Sequence, residues 1–318
     1  MEYTSLGGTG IRVSRIGLGT WQFSDDWGVT SYDRAKAIVG AALEAGINLF
    51  DTALRYGGGL SERFLGRALK ELGAREDDIV VVTKIPGEML SYDDVFKAVD
   101  VSLRRLGLTS IPVLLAHWPP LWRHIPTCEY ARAFERLVTL GKVEYIGLSD
   151  HPIELVEAFR NCLSRIEVDV LQYKLNLAER EAERELLPYA EGLGATFLAW
   201  SPLAKGALAK TIPPEKLGEL RDYRRVDPLH HPVNYPQLQK LYEEVARIAE
   251  RRGKTPAQVA LNWLLQLSDI VIPIPGATSP EQVRENADAT GWRLTWEEWR
   301  LLDEASRRVK LTYVTQSE

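Results

Sequence analysis

The chain has 318 residues, of which 45% are hydrophobic and 26% charged, and a net charge of −5. This composition excludes disorder, collagen-like repeats and low-complexity tails, and its mildly acidic balance argues against a nucleic-acid partner. At roughly 150 residues per domain the length suggests about two domains, but a (β/α)8 barrel of about 250 residues or more counts as one.

In chain order, residues 2–15 predict a short hairpin that turns at Gly7-Gly8-Thr9-Gly10. Eight short apolar runs then predict strands at Ile16–Leu18, Ile47–Phe50, Ile79–Thr83, Ile111–Ala116, Val143–Leu148, Val168–Gln172, Ala195–Ala199 and Ile270–Pro273. Helical stretches fall between and after them: Tyr32–Ala45, Ser61–Leu72, Ser91–Leu106, Tyr130–Leu140 and Pro152–Cys162. Further on come Ala182–Glu191, Tyr235–Arg252, Pro256–Leu267 and Pro280–Ala289. Ala45-Gly46 and Leu193-Gly194 put Gly where a helix ends in a left-handed residue.

Strands that are apolar throughout and separated by helices imply parallel pairing through right-handed crossovers. Eight such units without a Pro/Gly/Ser-rich linker predict a closed (β/α)8 TIM barrel, with residues 1–318 as one domain. Residues 204–235, rich in Pro and charge, predict a lid or binding loop. Residues 295–309 predict a C-terminal helix, opened by a capping box from Thr295 to Glu298.

Several chemistries are excluded by spacing. Cys128 and Cys162 lie far apart and form no C-x-x-C pair. They predict neither a disulfide framework nor a zinc knuckle, and point to a reducing cytosol. The start carries no secretory pattern, and no apolar run approaches the length of a membrane span. Gly17-Leu18-Gly19 meets Gln22 where a dinucleotide fingerprint needs Gly, and Gly57-Gly58-Gly59 meets Glu62. Gly253-Lys254-Thr255 is preceded by Ile248 where a P-loop needs Gly; it reads as a helix stop, an N-cap and the first-turn Pro256. No H-E-x-x-H occurs, and no metal is expected.

Three polar residues stand where successive predicted strands end: Asp51, Lys84 and His117, with Tyr56 one loop beyond Asp51. Singly, each has an ordinary explanation as a cap, a solvated charge or a packing residue. Together they mark the C-terminal face of a barrel, where catalytic groups sit.

At these residues the sequence resembles the aldo-keto reductases. The resemblance rests on Asp51-Thr52-Ala53-Leu54-Arg55-Tyr56-Gly57 with Ser61-Glu62, on Lys84, and on His117-Trp118-Pro119. It continues through Gly141-Lys142-Val143, Gly147-Leu148-Ser149, Gln172-Tyr173, Ser201-Pro202-Leu203-Ala204-Lys205-Gly206 and Ile274-Pro275-Gly276-Ala277 to Gln282 and Glu285-Asn286. In motif style it is closest to the relatives of the potassium-channel β subunit and to bacterial and archaeal members. The resemblance implies a barrel that binds NADP(H), less often NAD(H), without a Rossmann fold. It implies reduction of aldehydes or ketones to alcohols, or the reverse, with Tyr56 as general acid/base. Lys84 would lower the phenol's pKa, Asp51 would hold Lys84 charged, and His117 would orient the substrate oxygen.

The cofactor residues follow from the same resemblance. Ser149 and Gln172, with Asp150 beside them, would hold the nicotinamide carboxamide, Tyr173 or Trp200 would stack on the ring, and Ser201, Leu203, Lys205 and Gly206 would hold the pyrophosphate. Gly276, Thr278, Ser279, Gln282, Glu285 and Asn286 would also bind the cofactor, as would Thr20 and Trp21, with the helix start at Ser279 taking a phosphate. Ser279 is expected to cap the helix from Pro280, with Gln282 completing a capping box.

Two positions depart from the pattern of many relatives: Glu144 and Asp150. A carboxylate at 150 can accept from the carboxamide but cannot donate to it. Near the ring, it should favour the oxidised cofactor; as alternatives, Asp150 faces solvent or caps the helix at Pro152. The loop Gly276-Ala277-Thr278-Ser279 lacks the cation expected for a 2′-phosphate, and Arg284 is the candidate helper.

Nine Trp are present, four of them (Trp21, Trp27, Trp118 and Trp122) on predicted barrel-mouth loops, suggesting an aromatic or apolar carbonyl pocket. Arg55 and Arg123 could instead recognise an anion. Two rival readings are a cofactor-sensing subunit with slow turnover, and a Schiff-base aldolase using Lys84. A cytoplasmic monomer or small homo-oligomer is expected, and the low Asn, Gln, Met and Cys content leans towards a thermophilic source.

Overall fold

The computed structural model describes residues 1–120 and 124–313. Two short strands, β1 (Tyr3–Ser5) and β2 (Arg12–Ser14), pair as the expected antiparallel hairpin. Eight parallel strands follow: β3 (Leu18–Gly19), β4 (Leu49–Asp51), β5 (Val80–Ile85), β6 (Ile111–Ala116), β7 (Val143–Ser149), β8 (Val170–Lys174), β9 (Thr196–Trp200) and β10 (Val271–Pro273). They form one sheet in strictly sequential order. Hydrogen bonds from Gly17 N to the Pro273 carbonyl and from Gly19 N to the Pro275 carbonyl join its first edge to its last. The result is the (β/α)8 barrel.

The barrel's interior is filled by alternate residues of each strand. Leu49, Val80, Val82, Val113, Leu115, Val170, Leu198, Ile272 and Ile274 form one buried cluster, joined at the bottom by Leu6 and Val13 of the hairpin. The hairpin is fixed there by Gly7, whose N–H donates to Thr196 Oγ1. A Cβ on Gly7 would lie 2.8 Å from the Asp169 carbonyl, so no side chain fits that approach. Outward-facing residues meet the helices: α1 (Tyr32–Glu44), α2 (Leu60–Glu71), α3 (Tyr92–Leu106), α4 (Thr127–Thr139), α5 (Ile153–Arg160), α6 (Leu186–Leu193), α7 (Tyr235–Arg252), α8 (Pro256–Leu267) and α9 (Pro280–Ala287). A last helix, α10 (Trp296–Arg307), opens on the expected Thr295–Glu298 capping box.

Three expectations are corrected. The helix expected over Ala182–Glu191 is a 3₁₀ turn at Glu181–Glu183 followed by α6. Pro188 lacks an N–H and is tolerated only in a first turn, so the helix restarts just before it. At α9, Ser279 caps as expected, but Gln282 Oε1 accepts from Thr278 N instead of closing a box on the cap residue.

The largest correction is that Cys128 and Cys162 form a disulfide. One lies in the first turn of α4 and the other just past α5, and these neighbouring helices bring residues 34 apart in sequence to a Cα separation of 5.1 Å. Linear spacing hides this pairing, and cysteine usage no longer points to a reducing compartment. No helix among the described residues is long and apolar enough to cross a membrane.

Candidate active site

The alternation that fills the barrel also builds the site. In β5 the inward row Val80–Val82 continues to Lys84; in β4, Leu49 continues to Asp51. The same parity carries His117 beyond β6, Ser149 in β7, Gln172 in β8 and Trp200 in β9 towards the C-terminal mouth. A cleft of about 780 Å³ opens there, lined by Asp51, Tyr56, His117, Ser149, Gln172 and Trp200 among others.

Lys84 is completely buried and Asp51 nearly so. Lys84 Nζ donates to Asp51 Oδ1 at 2.7 Å, to the Thr52 carbonyl at 2.7 Å, and towards Tyr56 Oη at 3.4 Å. The second carboxylate oxygen of Asp51 accepts from Gln172 Nε2 at 2.8 Å. Asp51 is thus held on both sides. Burial lowers the pKa of Lys84, opposed by Asp51.

The Tyr56 phenol behaves against expectation. Its pKa is raised well above the ordinary value, first by burial and then by Asp51 and Asp150, so Lys84 does not bring it down in this cleft. Desolvating the phenolate outweighs the attraction of an ammonium already neutralised by Asp51. His117 is driven well below its ordinary pKa by burial, with Lys84 and Arg55 adding to the effect, so its ring is neutral. Its Nδ1 is buried without a partner, leaving Nε2 as the nitrogen available to the cleft.

Asp150 has a left-handed backbone (φ 53°) and accepts at Oδ1 from Trp200 Nε1 at 3.0 Å. It lines the open cleft and does not cap α5, whose cap residue is Pro152. The cleft walls desolvate it and push its pKa up to about 6, against the pull of the Trp200 N–H, Lys174 and Lys84. Glu144 lies away at the surface, accepting from Ser110 Oγ.

Three expected cofactor contacts are corrected. Tyr173 has the opposite parity to Gln172: its ring packs on Phe197, its hydroxyl donates to the His151 carbonyl, and it is absent from the cleft wall. Trp200 is the aromatic residue that lines the cleft. Thr20 is buried, with its hydroxyl donating to the Asp51 carbonyl and paired with Ser61 Oγ; Gly19, Trp21 and Gln22 line the wall in its place. Ser279 spends its hydroxyl on the α9 cap and lies outside the wall, whereas Gly276, Thr278, Gln282, Glu285 and Asn286 line it.

The far half of the cleft is built from loops. Ser201, Ala204 and Lys205 all have positive φ, and Gly206 follows at 95°, so the chain turns sharply beside the cleft. Leu203, Lys205 and Gly206 line it. Lys205 is already paired with Asp227, and Arg224 with Asp222, inside the 204–235 segment. That segment crosses the cleft mouth: Tyr223 N donates to the Asp26 carbonyl, and its ring packs edge-on against Trp21 at 5.0 Å.

Trp21 and Trp27 form an edge-to-face pair, Trp118 stacks beside His117 at 4.3 Å, and all three line the cleft. Trp118 Nε1 donates to Glu88, which also pairs with Arg55 at 3.3 Å. Trp122 and Arg123 fall outside the described residues.

Two cleft cations, Arg224 and Arg34, escaped sequence reading, and only Arg34 is without a carboxylate partner among the described residues. Arg34, in the first turns of α1, donates from Nε to the Thr278 carbonyl at 2.7 Å and lines the cleft. No carboxylate among the described residues pairs with it. Arg284 instead pairs with Glu44, outside the wall. No local signal marks Arg34, because its partner is 244 positions away.

The sequence profile of the Aldo/keto reductase family matches residues 15–307. The chain belongs to the aldo-keto reductase family. The aldo-keto reductase YhdN of Bacillus subtilis is 34% identical over 94% of this chain and 91% of its own length. An NADH-specific methylglyoxal reductase of Escherichia coli is 32% identical over 93% and 95%. Among solved structures, the glycerol dehydrogenase of Gluconobacter oxydans superposes with a TM-score of 0.83 at 32% identity, covering 99% of this chain and 98% of that one. An aldo-keto reductase of Klebsiella pneumoniae in complex with NADPH gives 0.78 at 26% identity, with both chains fully covered. The protein is thus a carbonyl-group oxidoreductase of the kind that uses a nicotinamide cofactor.

Proposed function

We propose that this aldo-keto reductase interconverts carbonyls and alcohols with NADP(H), using Tyr56 as general acid/base. The cleft fits such a cofactor. Ser201 Oγ is buried without a partner at the pyrophosphate side. Gly276 adds no side chain to the wall, and the end of the Gln22 side chain lies against its open face. Ser149, Gln172 and Trp200 would hold the nicotinamide, the Ser201–Gly206 loop the pyrophosphate, and Glu285 and Asn286 the adenosine. Arg34 supports NADP(H) over NAD(H): its free fork beside Thr278 and Gln282 offers the bidentate geometry a phosphate monoester takes. A bound nicotinamide supplies or accepts the hydride.

The observation that carries the reading is the buried Asp51–Lys84–Tyr56 relay. Tyr56 keeps its proton until negative charge develops on a carbonyl oxygen, then gives it up; Lys84 stabilises the phenolate that results. Gln172 and Lys84 together fix Asp51, so the ammonium is anchored when the phenol ionises. Neutral His117 offers Nε2–H to the substrate oxygen and orients the carbonyl. Trp21, Trp27 and Trp118 form flat apolar walls, which favours aromatic or apolar aldehydes and ketones. Arg55 is already held by Glu88 and is less available to an anion.

Replacing Tyr56 with Phe keeps the ring and removes the proton. Turnover should fall about 10²- to 10⁴-fold, while NADPH affinity by titration calorimetry stays within about twofold. A Phe variant with normal turnover on aldehydes and ketones would remove Tyr56 from the mechanism.

A further inference from the structure

We propose that Asp150 gives the redox end of the cleft an uncompensated negative charge, so that the protein holds the oxidised nicotinamide cofactor more tightly than the reduced one. This rests on the oxidoreductase reading and adds a preferred redox state to it. The charges around that end can be paired off. Asp51 is neutralised by Lys84 at 2.7 Å, Lys174 by Glu179 at 2.6 Å, and Arg55 by Glu88 at 3.3 Å. His117 is neutral and Tyr56 protonated. Among the described residues no cation lies within ion-pair distance of Asp150, whose carboxylate accepts from the neutral indole N–H of Trp200. One negative charge is left over.

Its position is fixed. Tyr56 can act on a carbonyl only if the hydride-carrying ring lies beside it, and the field of Asp150 reaches both Tyr56 and Lys84. Asp150 also holds the indole of Trp200, over which Lys174 lies at 5.7 Å from the ring centroid. The aromatic wall and the charge therefore come as a unit. The oxidised nicotinamide ring is cationic and the reduced ring neutral, so a lone carboxylate there favours the oxidised form. The tighter complex is then the one that starts alcohol oxidation. In that direction Tyr56 first gives its own proton to solvent and then takes the alcohol's hydroxyl proton on the phenolate oxygen, while a bound oxidised nicotinamide would accept the hydride from the carbinol carbon.

The test compares dissociation constants for NADP⁺ and NADPH by titration calorimetry, in the wild type and in Asp150→Asn. Asn keeps the acceptor for Trp200 Nε1 and tolerates a left-handed backbone, so only charge changes. At pH 8 the wild type should favour NADP⁺, and the substitution should shift the affinity ratio towards NADPH by on the order of tenfold.

A second arm uses the wild type alone. Asp150 is faced by Lys84 from β5, by Lys174 and Tyr173 from β8, and by Tyr56. The Asp150 carboxylate titrates near pH 6, so the preference for NADP⁺ should grow from pH 5 to pH 7. The 2′-phosphate common to both ligands cancels in the ratio. Equal ratios in the two proteins at pH 8, or a wild-type ratio flat across that window, would overturn the proposal. A wild type that binds neither NADP(H) nor NAD(H) would overturn the oxidoreductase reading with it.

Discussion

The two ends of the cleft are built on different principles. At the redox end, Asp51, Lys84, Ser149, Gln172 and Trp200 all belong to barrel strands, so the hydrogen-bonded sheet fixes their backbone before any ligand arrives. At the far end, Lys205, Gly206 and Arg224 sit on a loop of consecutive 3₁₀ turns, and Arg34 reaches in from a helix. Charge follows the same division. The redox end spends a buried ion pair to hold a catalytic ammonium in place, a weak device for stability but an effective one for orientation. The far end pairs Lys205 and Arg224 with carboxylates of their own loop, so a dinucleotide must compete for them. Strand-borne groups are preorganised for chemistry; loop-borne groups exchange partners as ligand comes and goes.

The largest effect expected is at Asp51. Asp51→Asn leaves the buried Lys84 ammonium without its anion, and breaking such a pair costs about 3–5 kcal/mol. Urea unfolding should show that loss, and turnover should fall with it. Asp51→Asn combined with Lys84→Met removes both charges. It should regain most of the stability but none of the turnover. Recovery of both would show that the pair serves folding alone and would erase the distinction between the two ends.

At the far end the effects are smaller and should separate the two cofactors. Arg34→Ala should weaken NADPH binding about tenfold, the order expected for loss of one charge-assisted phosphate contact. NADH binding should hardly change. Equal loss for both would move Arg34 from the 2′-phosphate to general shaping of the wall.

How much of this was legible follows the same division. The strand ends could be read from the sequence because a short apolar run that stops at Asp, Lys or His leaves a visible boundary, and three of them come in succession. The parity within a strand was equally available: Gln172 and Tyr173 cannot both face the barrel axis, and counting from Val170 excludes Tyr173. Thr20 was misplaced because the chain beyond β3 has no apolar row from which to count. Long-range pairings left no such mark. Arg34 meets Thr278, Lys205 meets Asp227 and Cys128 meets Cys162 only after the helices have packed. The raised pKa of Tyr56 was hidden for a further reason: it depends on how fully the cleft walls desolvate the phenol, a property of the assembled mouth.

The Lys205–Asp227 pair gives the finest test of the contrast. Asp227 has two roles: one oxygen takes the Lys205 ammonium, and the other accepts from Leu229 N at 3.0 Å, which caps the turn at Pro228–His230. Asp227→Asn keeps the neutral cap and removes the charge. If the pair is a placeholder, Lys205 is released to the pyrophosphate, and NADPH and NADH should both bind about threefold more tightly, since that group is common to them and one partly exposed charge contact is worth about 1 kcal/mol or less. If the pair instead holds the loop across the cleft, both ligands should bind more weakly and leave faster, because the Tyr223 contact with Trp21 would loosen with it. Stopped-flow dissociation of NADPH distinguishes the two outcomes. Only the first agrees with a far end whose charges are held in reserve for the ligand.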